Sequence, residues 1–77
     1  MTDDQFIKSL GTRIKQIRNS KEISLSEFSA LANLERANLT RIERGGTNPT
    51  TKTLKRISEA LEVDIRELFD FESLGKT

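Results

Sequence analysis

Apolar residues recur along most of this chain at the three- and four-residue spacing of helices, and nowhere do they alternate as in a strand. Phe6, Ile7, Leu10, Ile14 and Ile17 fall on one side of a helix predicted from roughly Asp3 to Ser20. Asp3 and Asp4 stand at its start and Lys21 just past its end, where the helix dipole favours each sign. Gly11 is a mild weakness inside it. Ser24 followed by Glu27 predicts a capping box that opens a second helix, with Phe28, Leu31 and Ala32 turned inward. That helix stops near Asn33, the residue type best suited, after Gly, to the left-handed conformation of a sharp turn.

A third helix covers roughly Glu35 to Arg44 and ends at Gly45-Gly46. The Thr47-Asn48-Pro49-Thr50 loop breaks the chain, and Thr50 or Thr51 can cap a fourth helix over about Thr51 to Leu61, which buries Leu54, Ile57 and Leu61. Asp64 is positioned to cap a short fifth helix with Ile65, Leu68 and Phe69, and Phe71 and Leu74 follow in a tail ending Gly75-Lys76-Thr77. The expected fold is therefore all-α: one compact five-helix domain over residues 1–71 and a short C-terminal tail over 72–77, with no repeat and no linker.

The third helix carries the chemistry. At about 100° per residue, Arg36, Thr40, Arg44, Ala37 and Arg41 share one side, while Leu39, Ile42 and Glu43 take the opposite half. A major groove of about 12 Å admits a helix, and an arginine there can bond guanine O6 and N7 together. The methyls of Ala37 and Thr40 suit a thymine methyl, and Asn38 suits adenine or a phosphate. A solubilising surface would account for the arginines alone. It does not account for their lying on the second of two short helices joined by a tight turn, with Phe28, Ala32, Leu34, Leu39 and Ile42 inward.

A second layer of contacts would set register on phosphates without reading sequence. Ser24 and Ser26 bring hydroxyls and free backbone N–H groups at the start of the second helix. Arg44, Thr47, Asn48 and Lys52 flank the far end of the third. Arg18 flanks the apolar stripe of the first helix and Glu43 that of the third. A partly buried ion pair between them would explain an acid among basic residues.

Composition narrows the alternatives. Among 77 residues there is no cysteine and no histidine, so disulfides, thiolate metal sites and zinc-finger spacing are excluded and the commonest general base is missing. No phosphate loop or convergent carboxylate pair suggests an enzyme, and neither metal nor cofactor is expected. No signal-like segment or apolar run of about 20 residues is present, so a cytoplasmic protein without membrane association is expected. The net charge of +1 hides a division. From Arg36 to Arg56, six basic residues face Glu43 alone. Beyond that, Glu59, Glu62, Asp64, Glu67, Asp70 and Glu72 face Arg66 and Lys76. One end suits a polyanion and the other does not.

The chain resembles the Cro and lambda-repressor type of helix-turn-helix regulators, the XRE or HTH_3 family, from about Phe6 to Phe71. The resemblance rests on Ile17-Arg18, Ile23-Ser24, Phe28-Ser29, Ala32-Asn33-Leu34, the run from Leu39 to Gly45, Asn48-Pro49, Leu54 and the run from Leu61 to Phe69. It implies a lambda-repressor-like fold with the third helix as recognition helix. Base-reading positions would be Arg36, Ala37, Asn38, Thr40 and Arg41, and Arg18–Glu43 the family's ion pair. Leu25 stands where many members have Gln, leaving its backbone N–H for phosphate. Asn33 replaces the usual Gly, and Glu35 a small capping hydroxyl. The Glu35 carboxylate would be repelled by phosphates unless it accepts from a cytosine amino group.

The expected function is sequence-specific transcriptional regulation on double-stranded DNA. A homodimer would place two recognition helices about one turn, ~34 Å, apart on a roughly palindromic operator. Ile65, Phe71 and Leu74 could form the dimer surface, or could complete the monomer core. Restriction–modification controller proteins and small phage repressors are similar in size, and no small-molecule effector is expected. The alternative is an antitoxin or interaction module whose main partner is a protein.

Overall fold

A computed structural model of the protein describes residues 1–75. Lys76 and Thr77, the end of the expected tail, lie outside the described residues. Helix α1 spans Asp3–Ser20, α2 Leu25–Ala32, α3 Arg36–Glu43 and α4 Thr51–Leu61. Two 3₁₀ segments follow, Ile65–Phe69 and Phe71–Gly75. The described residues contain no strand.

Local chemistry accounts for most of these boundaries. Thr2 opens α1, accepting from the Gln5 N–H while the Gln5 side chain accepts from the Thr2 N–H. Ser24 and Glu27 make the same reciprocal box at α2, and Thr50 caps α4 through the Thr53 N–H. Asn33 ends α2 at φ 54°, ψ 48°, and Leu34 N–H then reaches back to the Ser29 carbonyl at 3.0 Å. Glu22 and Glu62 take the same left-handed conformation at the ends of α1 and α4, with no glycine or asparagine to announce it.

The expected fifth helix is instead a 3₁₀ turn. Asp64 accepts from the Arg66 N–H, and the backbone then closes i+3 bonds, Glu67 N–H to Asp64 O at 2.9 Å and Asp70 N–H to Glu67 O at 3.3 Å. That Arg66 N–H, and secondly the Arg66 guanidinium, hold the Asp64 carboxyl below the ordinary aspartate range. Arg13 Nε of α1 also donates to the Glu67 carbonyl at 2.8 Å, so this short segment is bonded to α1 as well as along its own backbone. Phe71–Gly75 forms a second 3₁₀ turn, and Gln16 of α1 donates to the Ser73 carbonyl at 3.1 Å.

One core joins all of these elements. Leu10, Ile14 and Ile17 of α1 meet Phe28 and Ala32 of α2, Leu39 and Ile42 of α3, Leu54, Ile57 and Leu61 of α4, and Leu68. Leu31 departs from its expected inward position and is 60% exposed. Helix α4 packs beside Ala32, leaving Leu31 on the rim of an open hollow shared with Arg56, Glu59 and Ala60. Phe6, also expected on the apolar stripe, is 41% exposed and stacks against Phe69 and Phe71 at the domain surface.

Candidate nucleic-acid interface

Helix α3 is held from behind. Leu39 and Ile42 are fully or almost fully buried, and Glu43 is buried beside them. Arg18 Nε donates to Glu43 Oε2 at 2.7 Å and Nη2 to Oε1 at 3.1 Å, a two-pronged pair between α1 and α3. Nη1 of the same guanidinium donates to the Ile23 carbonyl at 2.9 Å, so one arginine ties the end of α1, the approach to α2 and the last turn of α3 together. Gly11 lets the helix backbones meet. A Cβ there would stand 2.2 Å from the Ile42 carbonyl oxygen and 2.8 Å from that of Glu43. Gly11, a weakness by helix propensity alone, is thus required by the position of α3.

The opposite face of α3 is open. Arg36, Ala37, Arg41 and Arg44 are exposed, and Asn38 and Thr40 are half-buried. Thr40 Oγ1 donates to the Arg36 carbonyl at 3.0 Å within the helix. The guanidinium groups of Arg41 and Arg44 have no protein partner among the described residues. Arg36 differs, because its Nη1 donates to Ser26 Oγ of α2 at 3.1 Å. Glu35 occupies the N-cap position of α3 without a side-chain capping bond, unlike Thr2, Ser24 and Thr50 at the other α-helices.

The residues expected to meet phosphates separate into groups. Leu25 and Arg44 line a cleft of about 170 Å³ with Lys15, the Arg18–Glu43 pair and Thr40, one of the expected base-reading residues. Lys15 was missed in the sequence, where its separation from α3 hides the contact. Ser24 and Ser26 lie exposed at the start of α2. Thr47 and Asn48 line a different hollow with Asp4 and Ile7 of α1, and Lys52 is exposed in the first turn of α4. Ile65 and Phe71 pack partly buried against the core, and Leu74 is half-buried. The more exposed apolar side chains at that end are Phe6 and Phe69. No helix is long and apolar enough to cross a membrane, and no cluster of metal-binding side chains occurs among the described residues.

Two helices joined at a left-handed residue, the second locked to the core and presenting unengaged arginines, define a helix-turn-helix protein. The HTH_3 family model, described as helix-turn-helix, matches residues 14–68, and the chain belongs to that family. It is 40% identical over 62 residues to the HTH-type transcriptional regulator SinR of Bacillus subtilis (strain 168), covering 79% of this chain and 56% of that protein. It is 35% identical over 66 residues to the control protein C.BamHI of Bacillus amyloliquefaciens, covering 84% and 82% of the two chains. The crystal structure of the restriction-modification controller protein C.AhdI from Aeromonas hydrophila superposes with a TM-score of 0.80 at 28% identity, covering 82% of this chain and 96% of that one. The chain spans about half the length of the Bacillus subtilis regulators that it matches, 43% of SlrR and 56% of SinR.

Proposed function

We propose that this protein is a DNA-binding transcriptional regulator that reads a roughly palindromic operator as a homodimer, with α3 in the major groove. The observation that carries the reading is the pair of unengaged guanidinium groups, Arg41 and Arg44, on the exposed side of a helix whose other side is locked by Leu39, Ile42 and Glu43. Guanidinium groups freed from protein partners and held by a fixed helix are suited to paired bonds with guanine, as for Arg41, or with phosphate oxygens, as for Arg44. The names of SinR, C.BamHI and C.AhdI, a transcriptional regulator and two control proteins, support the same class.

In this reading Arg36, Ala37, Asn38, Thr40 and Arg41 face base edges. Ser24, the Leu25 backbone N–H, Ser26, Arg44, Thr47, Asn48 and Lys52 face phosphates. Arg18 and Glu43 hold the geometry. Residues 1–71 form the DNA-binding domain and 72–77 a short tail, and the protein works in the cytoplasm. Two copies on one face of the duplex would set their α3 helices about one turn, ~34 Å, apart. The surface near Ile65, Phe71 and Leu74, extended by exposed Phe6 and Phe69, is the proposed dimer contact.

Selection of binding sites from a random DNA library with the purified protein at physiological salt tests the proposal. Two inverted half-sites with centres about 10 base pairs apart are expected. Failure of the folded protein to enrich any motif would overturn sequence-specific reading. A single half-site bound by a monomer would overturn the dimer.

A further inference from the structure

We infer that Ser26 is a positioning residue for Arg36, and that their hydrogen bond couples a phosphate contact on α2 to a base contact on α3. The inference rests on the DNA-reading assignment above and adds a division of labour within it. Arg36 is the first residue of α3, exposed, and attached through a long flexible side chain. A free arginine loses much rotamer freedom when it settles on one base edge. Here the freedom is already reduced, because Nη1 donates to Ser26 Oγ at 3.1 Å across the turn between the helices. The adjacent Glu35 carboxylate makes no ion pair with it, and the Thr40 hydroxyl is committed to the Arg36 carbonyl. Ser26 is thus the one side chain that fixes where this guanidinium points among the described residues.

The polarity of the bond matters. Arg36 donates and the Ser26 oxygen accepts, so the Ser26 hydroxyl proton remains available for a phosphate oxygen. Ser26 is exposed in the first turn of α2, where the backbone N–H groups also lack helical acceptors. A phosphate seated there would polarise the hydroxyl, strengthening its oxygen as the acceptor for Arg36. The remaining N–H groups of the guanidinium stay free for the base. Register on the backbone and reading of one base pair would then be set together.

The test compares the wild-type protein with Ser26→Ala, Ser26→Thr, Arg36→Ala and the Ser26→Ala/Arg36→Ala double variant. Each is taken through the same site selection, and its affinity is measured on the best site, on single-base-pair variants of that site and on unrelated DNA. Loss of one hydrogen bond predicts that Ser26→Ala reduces discrimination by about three- to tenfold at the base pair identified by Arg36→Ala. Discrimination at the other pairs should hold, Ser26→Thr should restore it, and Ser26→Ala should add nothing at that pair once Arg36 is gone. Matching thermal unfolding of the variants would exclude a folding defect. If Arg36→Ala erases a base preference that Ser26→Ala leaves intact, the positioning role is overturned while DNA reading stands. Equal weakening of every sequence by Ser26→Ala would reduce Ser26 to a phosphate contact and also overturn the inference. Absence of any wild-type motif would overturn the DNA-reading assignment and this inference with it.

Discussion

Replacing Gly11 by Ala sets two physical effects of opposite sign against each other. In an exposed helix interior the change would stabilise by about 1 kcal/mol, because alanine loses less backbone freedom on folding. In α1, however, the added Cβ would lie 2.2 Å from the Ile42 carbonyl oxygen and 2.8 Å from that of Glu43. A close carbon–oxygen contact needs about 3.3 Å, so the two helices must separate by roughly 1 Å. The obstacles are backbone atoms in the last turn of α3 and cannot rotate away. Separation would also stretch the 2.7 and 3.1 Å bonds between Arg18 and Glu43, which bridge the same two helices.

Overpacking of this kind costs about 3 kcal/mol at the upper end of its usual range. Subtracting the helix-propensity gain leaves a net loss of about 2 kcal/mol. For a domain of this size that corresponds to a fall in Tm of about 8–16 °C. Thermal and urea unfolding of the Gly11→Ala variant measure it directly. Gly46→Ala supplies the control, since a Cβ there meets the Arg41 carbonyl oxygen at an ordinary 3.6 Å and φ is not left-handed. That variant should be neutral or slightly more stable. A Gly11→Ala protein as stable as wild type would refute the claim that close backbone contact between α1 and α3 fixes the exposed helix.

Glu43→Ala should cost about 3–5 kcal/mol, because it strands the largely enclosed Arg18 guanidinium without its carboxylate; urea unfolding would show it, and a loss within 1 kcal/mol would contradict the packing described. Glu35→Ser should raise Tm by about 4–8 °C by supplying the capping hydroxyl that α3 lacks, worth about 1 kcal/mol. Asp64 should titrate below the usual aspartate range in an NMR pH series, and Arg66→Ala should remove the guanidinium's share of that lowering while keeping the share of the backbone N–H, its first cause. Its folded-state pKa being depressed, the stability Asp64 contributes is present above the unfolded pKa and is lost as pH falls through the folded one; a midpoint at the ordinary value would exclude the effect. On DNA, Arg41→Ala should relax preference at particular base pairs, whereas Lys52→Ala should weaken all sequences similarly and flatten the salt dependence; identical effects on every sequence would count against reading by α3.

What could be read from the chain without coordinates follows the range of the forces involved. Ser24 and Glu27 announce the start of α2 because both halves of the capping box lie within one turn, and Asn33 announces its end because few side chains tolerate that backbone. Thr2 with Gln5 is an equally local signal, both halves of that box lying three residues apart. Glu22 and Glu62 adopt the same left-handed turn with no such preference, so tertiary packing overrides propensity at both. The role of Arg13 is hidden for a different reason: beyond Gln16 in its own helix, its partners Glu67, Asp70 and the Glu67 carbonyl come from the far end of the chain. Those contacts fall on the segment that forms a 3₁₀ turn where an α-helix was expected.

Periodicity alone also misjudges the edge of an apolar stripe. Leu31 and Phe6 each sit at helical spacing from buried neighbours, yet both lie outside the buried core, because a helix of two turns or a helix end meets its neighbours along a narrow strip. The same limit applies to the reading face. A wheel can say that Arg36, Arg41 and Arg44 share a side, since that depends on one helix. It cannot say that Arg36 is bound by Ser26 while Arg41 and Arg44 are unengaged, since that depends on how α2 crosses α3. Three arginines that look equivalent in sequence therefore enter binding with different conformational freedom. The entropic cost of ordering them should differ accordingly, with Arg36 losing the least on reaching a base and Arg41 and Arg44 losing more.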